Sequence, residues 1–201
     1  MPALDVGLMQ ICTGCESSKA GDAVDAANEV AKLFDLTTVN RLGMFLANVG
    51  HETGNLRFLT ELWGPTQTQK GYDGREDLGN EYLGDGFKYR GRGWFQTTGR
   101  GNYLRVTEYL RTRFPDLQVP DFVAHPDLLA TSQWAALAAG QYWDERELAK
   151  YADAGDFSGV CDMINLGHKA KREGASNGYA DRLKLWKAAR PALILNGWSL
   201  S

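Results

Sequence analysis

Apolar residues recur with a helical period along most of this 201-residue chain, and that period constrains the fold more than any other feature. In the segment 37–54, TTVNRLGMFLANVGHETG, they stand three and four residues apart, which is the spacing of one face of an amphipathic helix. Thr37 or Thr38 can cap the start of this helix, and Gly54 can end it. The same spacing recurs in segments 22–36, 102–114, 131–152, 156–167 and 178–190, the last of which Pro191 should end.

The stretch from Asn55 to Gly101 does not follow this pattern. It is rich in glycine and aromatic residues and has neither a helical nor an alternating period, so it predicts long loops with a short strand or hairpin. Loops of this length usually carry function. The predicted fold class is therefore mainly α, with a loop-rich middle.

Length and composition limit the number of domains and the location of the protein. A chain of this length can bury one core, or two lobes that share a cleft. We expect a single domain, 1–201, in which 1–36 form a helical lead and no separate binding domain follows. No run reaches the roughly 18 apolar residues that a membrane helix needs. The N-terminus lacks the basic start and apolar core of a secretory signal, which predicts a soluble protein made in the cytoplasm without a signal peptide.

Three cysteines cannot all pair with one another. Cys12 and Cys15 form a CxxC, and Cys161 is distant in sequence. A zinc knuckle needs four ligands and a thioredoxin-type site needs a preceding strand, and the sequence around the CxxC favours neither. We expect reduced thiols.

A His-Glu pair near the end of the first predicted helix raises the question of a metal site. Zinc proteases carry HExxH, in which two histidines four residues apart share the metal, but HETGN has Asn55 at the second position. His125 and His168 could complete a three-histidine site only through the fold, without any ligand spacing to support it. We therefore expect no metal and no other cofactor, and a supporting role for His51 beside Glu52.

Glu52 falls on the apolar face of that helix. At about 100° per residue, seven residues beyond Phe45 bring Glu52 to within roughly 20° of it, in line with Leu42 and Val49. Desolvation raises the pKa of a carboxyl group, which suits a general acid that works near neutral pH. The alternative is a carboxylate at a frayed helix end that turns to water, and the pattern alone leaves both open.

A second carboxylate, Glu61, follows nine residues later in FLTELW. Two carboxyl groups beside a sugar–sugar bond, one that protonates the leaving oxygen and one that activates water, are the basic requirement of glycoside hydrolysis. Sequence spacing does not establish such a pair. Other acidic residues of this region are alternatives to Glu61, although most should be solvated loop charges: Asp73, Glu76, Asp77, Glu81 and Asp85.

Residues 86–113 combine positive charge with aromatic side chains. They hold seven basic residues against the single acid Glu108. A nucleic-acid surface with stacking aromatics has this composition, but the net charge of the whole chain is −3. Aromatic faces also pack against sugar rings, and neutral polar side chains bind sugar hydroxyl and N-acetyl groups. Carbohydrate is therefore favoured over nucleic acid, with neutral polar groups from Gln96, Thr97, Thr98 and Asn102.

Four stretches in order, GHETGNLRFLTE, YRGRGWFQTTGRGNY, DMINLG and YADRLKLW, resemble the successive motifs of the family 19 glycoside hydrolases, to which class I chitinases belong. The resemblance runs from about Arg41 to Trp186, and the YRGRG block is its most specific part. The missing signal and the stretch ELWGPTQTQKGYDGREDLGN make the chain most similar to the phage and prophage endolysins of this family.

The resemblance implies a lysozyme-like helical fold with a substrate cleft between two lobes, and a glycoside hydrolase core at 37–190. It implies inverting hydrolysis of a β-1,4 bond next to N-acetylglucosamine or N-acetylmuramic acid. Glu52 matches the general acid, Glu61 the carboxylate that activates water, and Thr98 the hydroxyl that holds this water. An inverting mechanism needs a separation of roughly 6.5 to 9.5 Å between the two carboxyl groups.

Further residues match substrate-binding positions of the family. The stretch INLGHKAKREG stands where the family has Ile-Asn-Gly-Gly, so Leu166 departs from the motif, and Arg172 competes with Arg182 for a later cleft arginine. The residues implied to bind substrate are Tyr89, Gln96, Asn102, Tyr103, Asn165 and Arg182.

The preferred function is an endolysin that cuts the glycan strands of bacterial peptidoglycan for host cell lysis, after a separate pore has permeabilised the membrane. A chitinase that acts on N-acetylglucosamine polymers is the alternative with the same chemistry. A non-catalytic wall-binding module and a zinc-dependent amidase are less favoured. We expect a monomer that binds peptidoglycan strands or chitin oligomers, binds no nucleic acid, and forms no stable association with a membrane.

Overall fold

The computed structural model describes residues 2–62 and 64–200, and its regular structure is helical, so the predicted fold class is confirmed. Short 3-10 helices lie at Glu76–Leu78 and Pro126–Ala130. The α-helices are α1 (Val6–Thr13), α2 (Ser17–Leu33), α3 (Val39–Glu52), α4 (Gln67–Lys70), α5 (Asp85–Lys88), α6 (Arg100–Arg113), α7 (Ser132–Glu145), α8 (Ala149–Asp153), α9 (Phe157–Asn165) and α10 (Tyr179–Leu195).

The chain divides into two compact units. Unit 1 comprises Met1–Arg57 and Tyr142–Ser201, and unit 2 comprises Phe58–Gln141. The helical lead and the helices after residue 142 thus belong to unit 1, whereas the loop-rich middle belongs to unit 2.

Helix α3 is the centre of unit 1 and begins where the sequence predicts. The hydroxyl of Thr38 accepts a hydrogen bond from the backbone N–H of Arg41 at 3.2 Å and so caps the helix. Leu42, Phe45 and Val49 are fully buried, and each such side chain stabilises the fold by roughly 1.5–3 kcal/mol through removal of apolar surface from water. Helices α1, α8, α9 and α10 pack around α3.

Two glycines of α3 allow its neighbours to approach closely. A Cβ at Gly43 would lie 2.4 Å from Cζ3 of Trp186 in α10, and a Cβ at Gly50 would lie 2.4 Å from the carbonyl oxygen of Thr13 in α1. Only glycine fits both positions without a shift of the neighbouring helix. The close contact at Gly43 sets the position of α10, whose first turn carries Arg182.

Two helix boundaries differ from the sequence prediction. Pro191 does not end α10, which continues to Leu195. The proline lies on the exposed face, where water can bond to the carbonyl of Lys187 that loses its N–H partner. The predicted helix 131–152 is also interrupted, because Glu147 has a φ of 51° and separates α7 from α8.

The C-terminal segment packs within unit 1 through α10. Leu185, Ala189 and Leu193 of this helix are buried. Among the described residues, no helix combines the length and the apolar character that crossing a membrane requires.

Unit 2 contains the loops of the middle region. In the described part of this unit, isolated bridges join Arg92 to Thr60 and to Thr97 in place of a full strand or hairpin. The carboxylate of Asp85 accepts hydrogen bonds from two N–H groups of the preceding turn and from Arg100 at the start of α6. Side-chain hydrogen bonds of this kind therefore order the loops where a sheet does not.

The three cysteines are unpaired and buried. Burial raises the pKa of Cys12 and of Cys161 to about 12. These two thiols are protonated at neutral pH and are poor nucleophiles.

Candidate active site

Glu52 is the last residue of α3 and forms an ion pair with Arg182 of α10. The side chain of Glu52 is 21% exposed, whereas that of Arg182 is 1% exposed. The position of the carboxylate is thus intermediate between the buried and the solvent-facing positions that the sequence left open. The carboxylate reaches the surface, while a buried guanidinium holds its Oε1 atom.

Each nitrogen of the Arg182 guanidinium has a hydrogen-bond partner. Nη2 donates to Glu52, Nη1 donates to Oδ1 of Asn48 at 2.7 Å, and Nε donates to the carbonyl oxygen of Asn177 at 3.1 Å. Asn48 lies one helical turn before Glu52 and is fully buried. The planar guanidinium is therefore fixed in one orientation beside the carboxylate.

Asn165, a candidate substrate-binding residue, belongs to the same network. It is the last residue of α9, and its Oδ1 accepts a hydrogen bond from the backbone N–H of Asn177 at 2.8 Å. The backbone of Asn177 therefore connects Asn165 to Arg182. Arg182 is the arginine that contacts Glu52, and Arg172, the alternative, is exposed.

A second contact joins the same two helices beside the ion pair. Nδ1 of His51 lies 2.7 Å from Oδ2 of Asp181. Gly178, with a φ of 67°, makes room for the ring, because a Cβ there would lie 2.0 Å from Cε1 of His51. Since His51 precedes Glu52 and Asp181 precedes Arg182, two adjacent pairs link the end of α3 to the first turn of α10.

The metal hypothesis receives no support from the described residues. Within 2–62 and 64–200, no group of three or more histidine, cysteine, aspartate or glutamate side chains could hold a metal ion. Asn55, at the position of the second histidine of HExxH, donates from Nδ2 to the carbonyl oxygen of Gly14 at 2.7 Å. Its amide therefore joins α3 to the end of α1.

In unit 2, two hydrogen bonds hold Glu61 against Gly91. The N–H of Glu61 donates to the carbonyl oxygen of Gly91 at 2.8 Å, and the N–H of Gly91 donates to Oε2 of the carboxylate at 3.3 Å. Glu61 is half-buried. Its carboxylate is thus oriented by the backbone of the YRGRG segment.

Two further candidate residues lie next to Gly91. A Cβ at Gly91 would lie 2.8 Å from Oε1 of Gln96 and 3.4 Å from Oγ1 of Thr98. The hydroxyl of Thr98 donates to the carbonyl oxygen of Gln96 at 2.9 Å, and Nδ2 of the exposed Asn102 donates to the carbonyl oxygen of Thr98 at 2.7 Å. The structure therefore gathers Glu61, Gln96 and Thr98 around one glycine, with Asn102 one contact further away.

Tyr89 and Tyr103 lie in the interior of unit 2. Both are 0% exposed, and their rings meet edge to face with centroids 5.3 Å apart. The hydroxyl of Tyr103 donates to the carbonyl oxygen of Arg90 at 2.6 Å and accepts from Nη1 of Arg92 at 2.9 Å, and burial raises its pKa to about 12. These contacts hold the YRGRG segment in place, and substrate contact by either tyrosine stays a prediction.

Several residues of both units are not singled out by the sequence. The sequence could have indicated Asn48, because this residue stands four positions before Glu52 and therefore shares its helix face. Gly91, Asn177 and Asp181 act through tertiary contacts that no local pattern reveals.

Three of the acidic alternatives to Glu61 have ion-pair or hydrogen-bond partners within the loops. Asp85 pairs with Arg100, and Asp77 pairs with Arg75. Oδ1 of Asp73 accepts a hydrogen bond from the N–H of Gly86 at 2.7 Å. These contacts give the three aspartates a structural role in the loops.

Comparison with known proteins begins from sequence. No protein-family model matches the chain. A protein of Haemophilus influenzae named "Glycosyl hydrolase family 19 domain-containing protein" is 32% identical over 182 residues, an alignment that covers 75% of this chain and 80% of the relative.

Solved structures with the same fold include a mutant chitinase C, chitinase C from Streptomyces griseus, and a bacterial family 19 chitinase. Their TM-scores are 0.69, 0.67 and 0.65 at 17%, 18% and 19% identity. Each match covers 98% of this chain, and 94%, 94% and 96% of the respective structures. At this level of identity, the likeness shows the fold alone.

Proposed function

This chain belongs to glycosyl hydrolase family 19, and from that membership we propose that it hydrolyses β-1,4 bonds in the glycan strands of bacterial peptidoglycan as an endolysin. It is a glycoside hydrolase with the helical fold of the family 19 chitinases. In the proposal the chain acts as one catalytic domain, with Glu52 as general acid and Glu61 as general base.

The contact between Glu52 and Arg182 is the observation that carries the proposal. A general acid must carry its proton when substrate is bound and must point it at the glycosidic oxygen. Arg182 holds Oε1 of the carboxyl group, and Asn48 and Asn177 hold Arg182. Because Oε1 accepts from Arg182, Oε2 is the oxygen left to face the glycosidic oxygen, and Arg182 acts as a positioning residue.

Glu61 acts as the general base that activates the attacking water. As the water oxygen bonds to the anomeric carbon, the bond from that carbon to the leaving oxygen breaks. One proton of the water moves to Glu61, and the proton of Glu52 moves to the leaving oxygen. Thr98 helps to hold the water, which its position beside Gly91 and near Glu61 supports.

The remaining candidate residues divide by exposure. Gln96, Asn102 and Asn165 are exposed or half-buried amides, and amides can both donate to and accept from sugar hydroxyl and N-acetyl groups. We assign these three to substrate binding. Tyr89 and Tyr103, which are buried, hold the YRGRG segment, and their contact with substrate stays a prediction.

Chitin is the second candidate substrate. The solved structures that share the fold are named chitinases, and chitin contains the same β-1,4 bond beside an N-acetyl group. The endolysin role rests on the resemblance of the sequence motifs to endolysins. It requires activity on purified peptidoglycan sacculi, with release of new reducing ends.

The substitution Glu52→Gln tests the acid. It keeps the shape of the side chain and removes the transferable proton, so we expect the rate on sacculi to fall at least about 100-fold. The amide oxygen can still accept from Arg182, so circular dichroism should show the parent fold, with a lower urea midpoint because the buried guanidinium loses its counter-ion. Glu108→Gln, an exposed change of the same kind on α6, is the matched control and should keep full activity. Near-normal activity in Glu52→Gln would rule out Glu52 as the general acid.

Mass spectrometry of the sugar ends identifies the bond that is cut. A muramidase leaves N-acetylmuramic acid at the new reducing end, whereas a glucosaminidase leaves N-acetylglucosamine. Parallel incubation with chitin oligomers ranks the two candidate substrates. Cleavage of chitin oligomers with no cleavage of sacculi would replace the endolysin by the chitinase.

A further inference from the structure

Arg146 is an exposed cation that the mechanism above does not use. It follows α7, and its guanidinium carbon lies 5.0 Å from the centre of the Tyr142 ring. Within the described part of the chain, no carboxylate forms an ion pair with it. Stacking on an aromatic ring orients a guanidinium without using its N–H donors, so these donors remain available to a ligand.

Tyr142 connects this cation to the end of α9, the helix that carries Asn165. Its hydroxyl donates to the carbonyl oxygen of Met163 at 2.9 Å, two residues before Asn165. Burial raises the pKa of Tyr142, the positive charge of Arg146 lowers it, and the negative charge of Glu52 raises it. The hydroxyl therefore lies within electrostatic reach of both Arg146 and Glu52.

Gly167 brings the segment after Asn165 close to the guanidinium. A Cβ at this position, two residues after Asn165, would lie 3.7 Å from Nη1 of Arg146. Arg146 is exposed, so the segment after Asn165 passes the guanidinium without covering it. The cation thus borders the end of α9 that carries Asn165, a residue assigned above to substrate binding.

The candidate substrates differ in the chemistry that an arginine recognises. Chitin carries no carboxylate. Peptidoglycan carries carboxylates on its peptide stems, and a free lactyl carboxylate wherever a stem has been removed. We propose that Arg146 binds a carboxylate of peptidoglycan next to the sugar held in unit 1, and so favours peptidoglycan over neutral glycans. This inference rests on the proposed function and names the substrate class of that site.

Arg146→Gln tests the proposal on three forms of one glycan. The first is intact peptidoglycan fragments, which carry stem carboxylates. The second is strands freed of their stems by an amidase, which carry lactyl carboxylates. The third is the same freed strands after methyl esterification, which carry no charge. Removing an arginine that binds a carboxylate at a partly exposed site should lower kcat/KM roughly threefold to tenfold on a charged form and leave the esterified form unchanged.

The pattern of the decrease identifies the carboxylate. A decrease on intact fragments alone assigns the stem carboxylate, and a decrease on freed strands alone assigns the lactyl carboxylate. Arg146→Lys should restore part of the rate, because it restores the charge without the planar fork. An equal decrease on all three forms would mean that Arg146 acts through the charge of Glu52, and it would overturn the proposal. Unchanged rates on all three would also overturn it.

Two controls separate this inference from the proposed function. Arg190→Gln makes the same charge change on the exposed face of α10 and should leave all three rates unchanged. If the parent protein cleaves none of the forms, the proposed function fails. If the parent cleaves them and Arg146→Gln does not alter their ratio, the inference about Arg146 fails alone.

Discussion

A guanidinium as deeply buried as that of Arg182 is stable only when its donors are paired, because removing a charge from water is costly. Here Glu52, Asn48 and Asn177 supply the acceptors. The arrangement also works in the other direction, since Arg182 orients the carboxyl group of Glu52. Under the proposed mechanism, stability and catalysis therefore depend on the same side chain in unit 1.

Replacing Arg182 with Met should lower the free energy of unfolding by roughly 3 kcal/mol, the low end of the range for breaking a buried ion pair. Glu52 is partly exposed and can turn to water, which limits the destabilisation. Asn48 is fully buried and loses the donor to its Oδ1, which adds to the destabilisation. Urea unfolding measures the change. Activity should fall as well, because the freed carboxyl group no longer has one orientation.

The matched control for this substitution is Arg190→Met on the exposed face of the same helix. A surface change of this kind should alter the unfolding free energy by less than about 0.5 kcal/mol. If Arg182→Met were as stable and as active as Arg190→Met, the positioning role of Arg182 would be wrong.

At the scale of elements, the helices were predictable where a local pattern decides the structure. The cap of α3 at Thr38 and the apolar face through Leu42 and Phe45 follow from spacing alone. Pro191 and Glu147 were not predictable, because a helix continues through proline or stops at a positive φ according to tertiary packing and exposure.

In unit 2, an ion pair orders the segment between α4 and α6, where the sequence has neither a helical nor an alternating period. The side chain of Asp85 is 4% exposed and pairs with Arg100 of α6. Hydrogen bonds from Arg100 lower the pKa of Asp85 below its ordinary value of 3.8, although burial opposes this shift. Because the folded state binds this proton less tightly than the unfolded state, Asp85 stabilises the fold above pH 3.8, and that stabilisation is lost as pH falls through the lowered pKa.

Asp85→Asn should therefore lower the free energy of unfolding near pH 7 by roughly 1.5–3 kcal/mol, the range for hydrogen bonds to charged groups. The difference from the parent should shrink as pH falls below 3.8 and through the lowered pKa, where the parent loses its carboxylate. Urea unfolding at a series of pH values measures both effects. Asp25→Asn, an exposed change on α2, is the control, and a difference from the parent that stayed constant over this interval would contradict the ion-pair account.

At the scale of the whole molecule, the sequence predicts the fold class and the family better than it predicts the surroundings of the candidate carboxylates. Helical periods and ordered motifs are local, so they reveal the family and nominate Glu52 and Glu61, whose catalytic roles stay predictions. The Arg182 network and the role of Gly91 require contacts between residues up to 134 positions apart. The buried positions of Tyr89 and Tyr103 likewise depend on packing that the YRGRG motif alone does not describe.

The substrate cleft and the separation of roughly 6.5 to 9.5 Å between the two carboxyl groups stay predictions, and the stereochemistry of the product tests the mechanism that they imply. If Glu61 activates water for direct attack, a β-1,4 bond yields an α-configured reducing end first. Proton NMR during the first minutes of hydrolysis, before the anomers equilibrate, distinguishes the two configurations. An initial β product would instead mean that a carboxylate or the N-acetyl group of the substrate attacks the sugar first, and Glu61 would not be the base for direct attack by water.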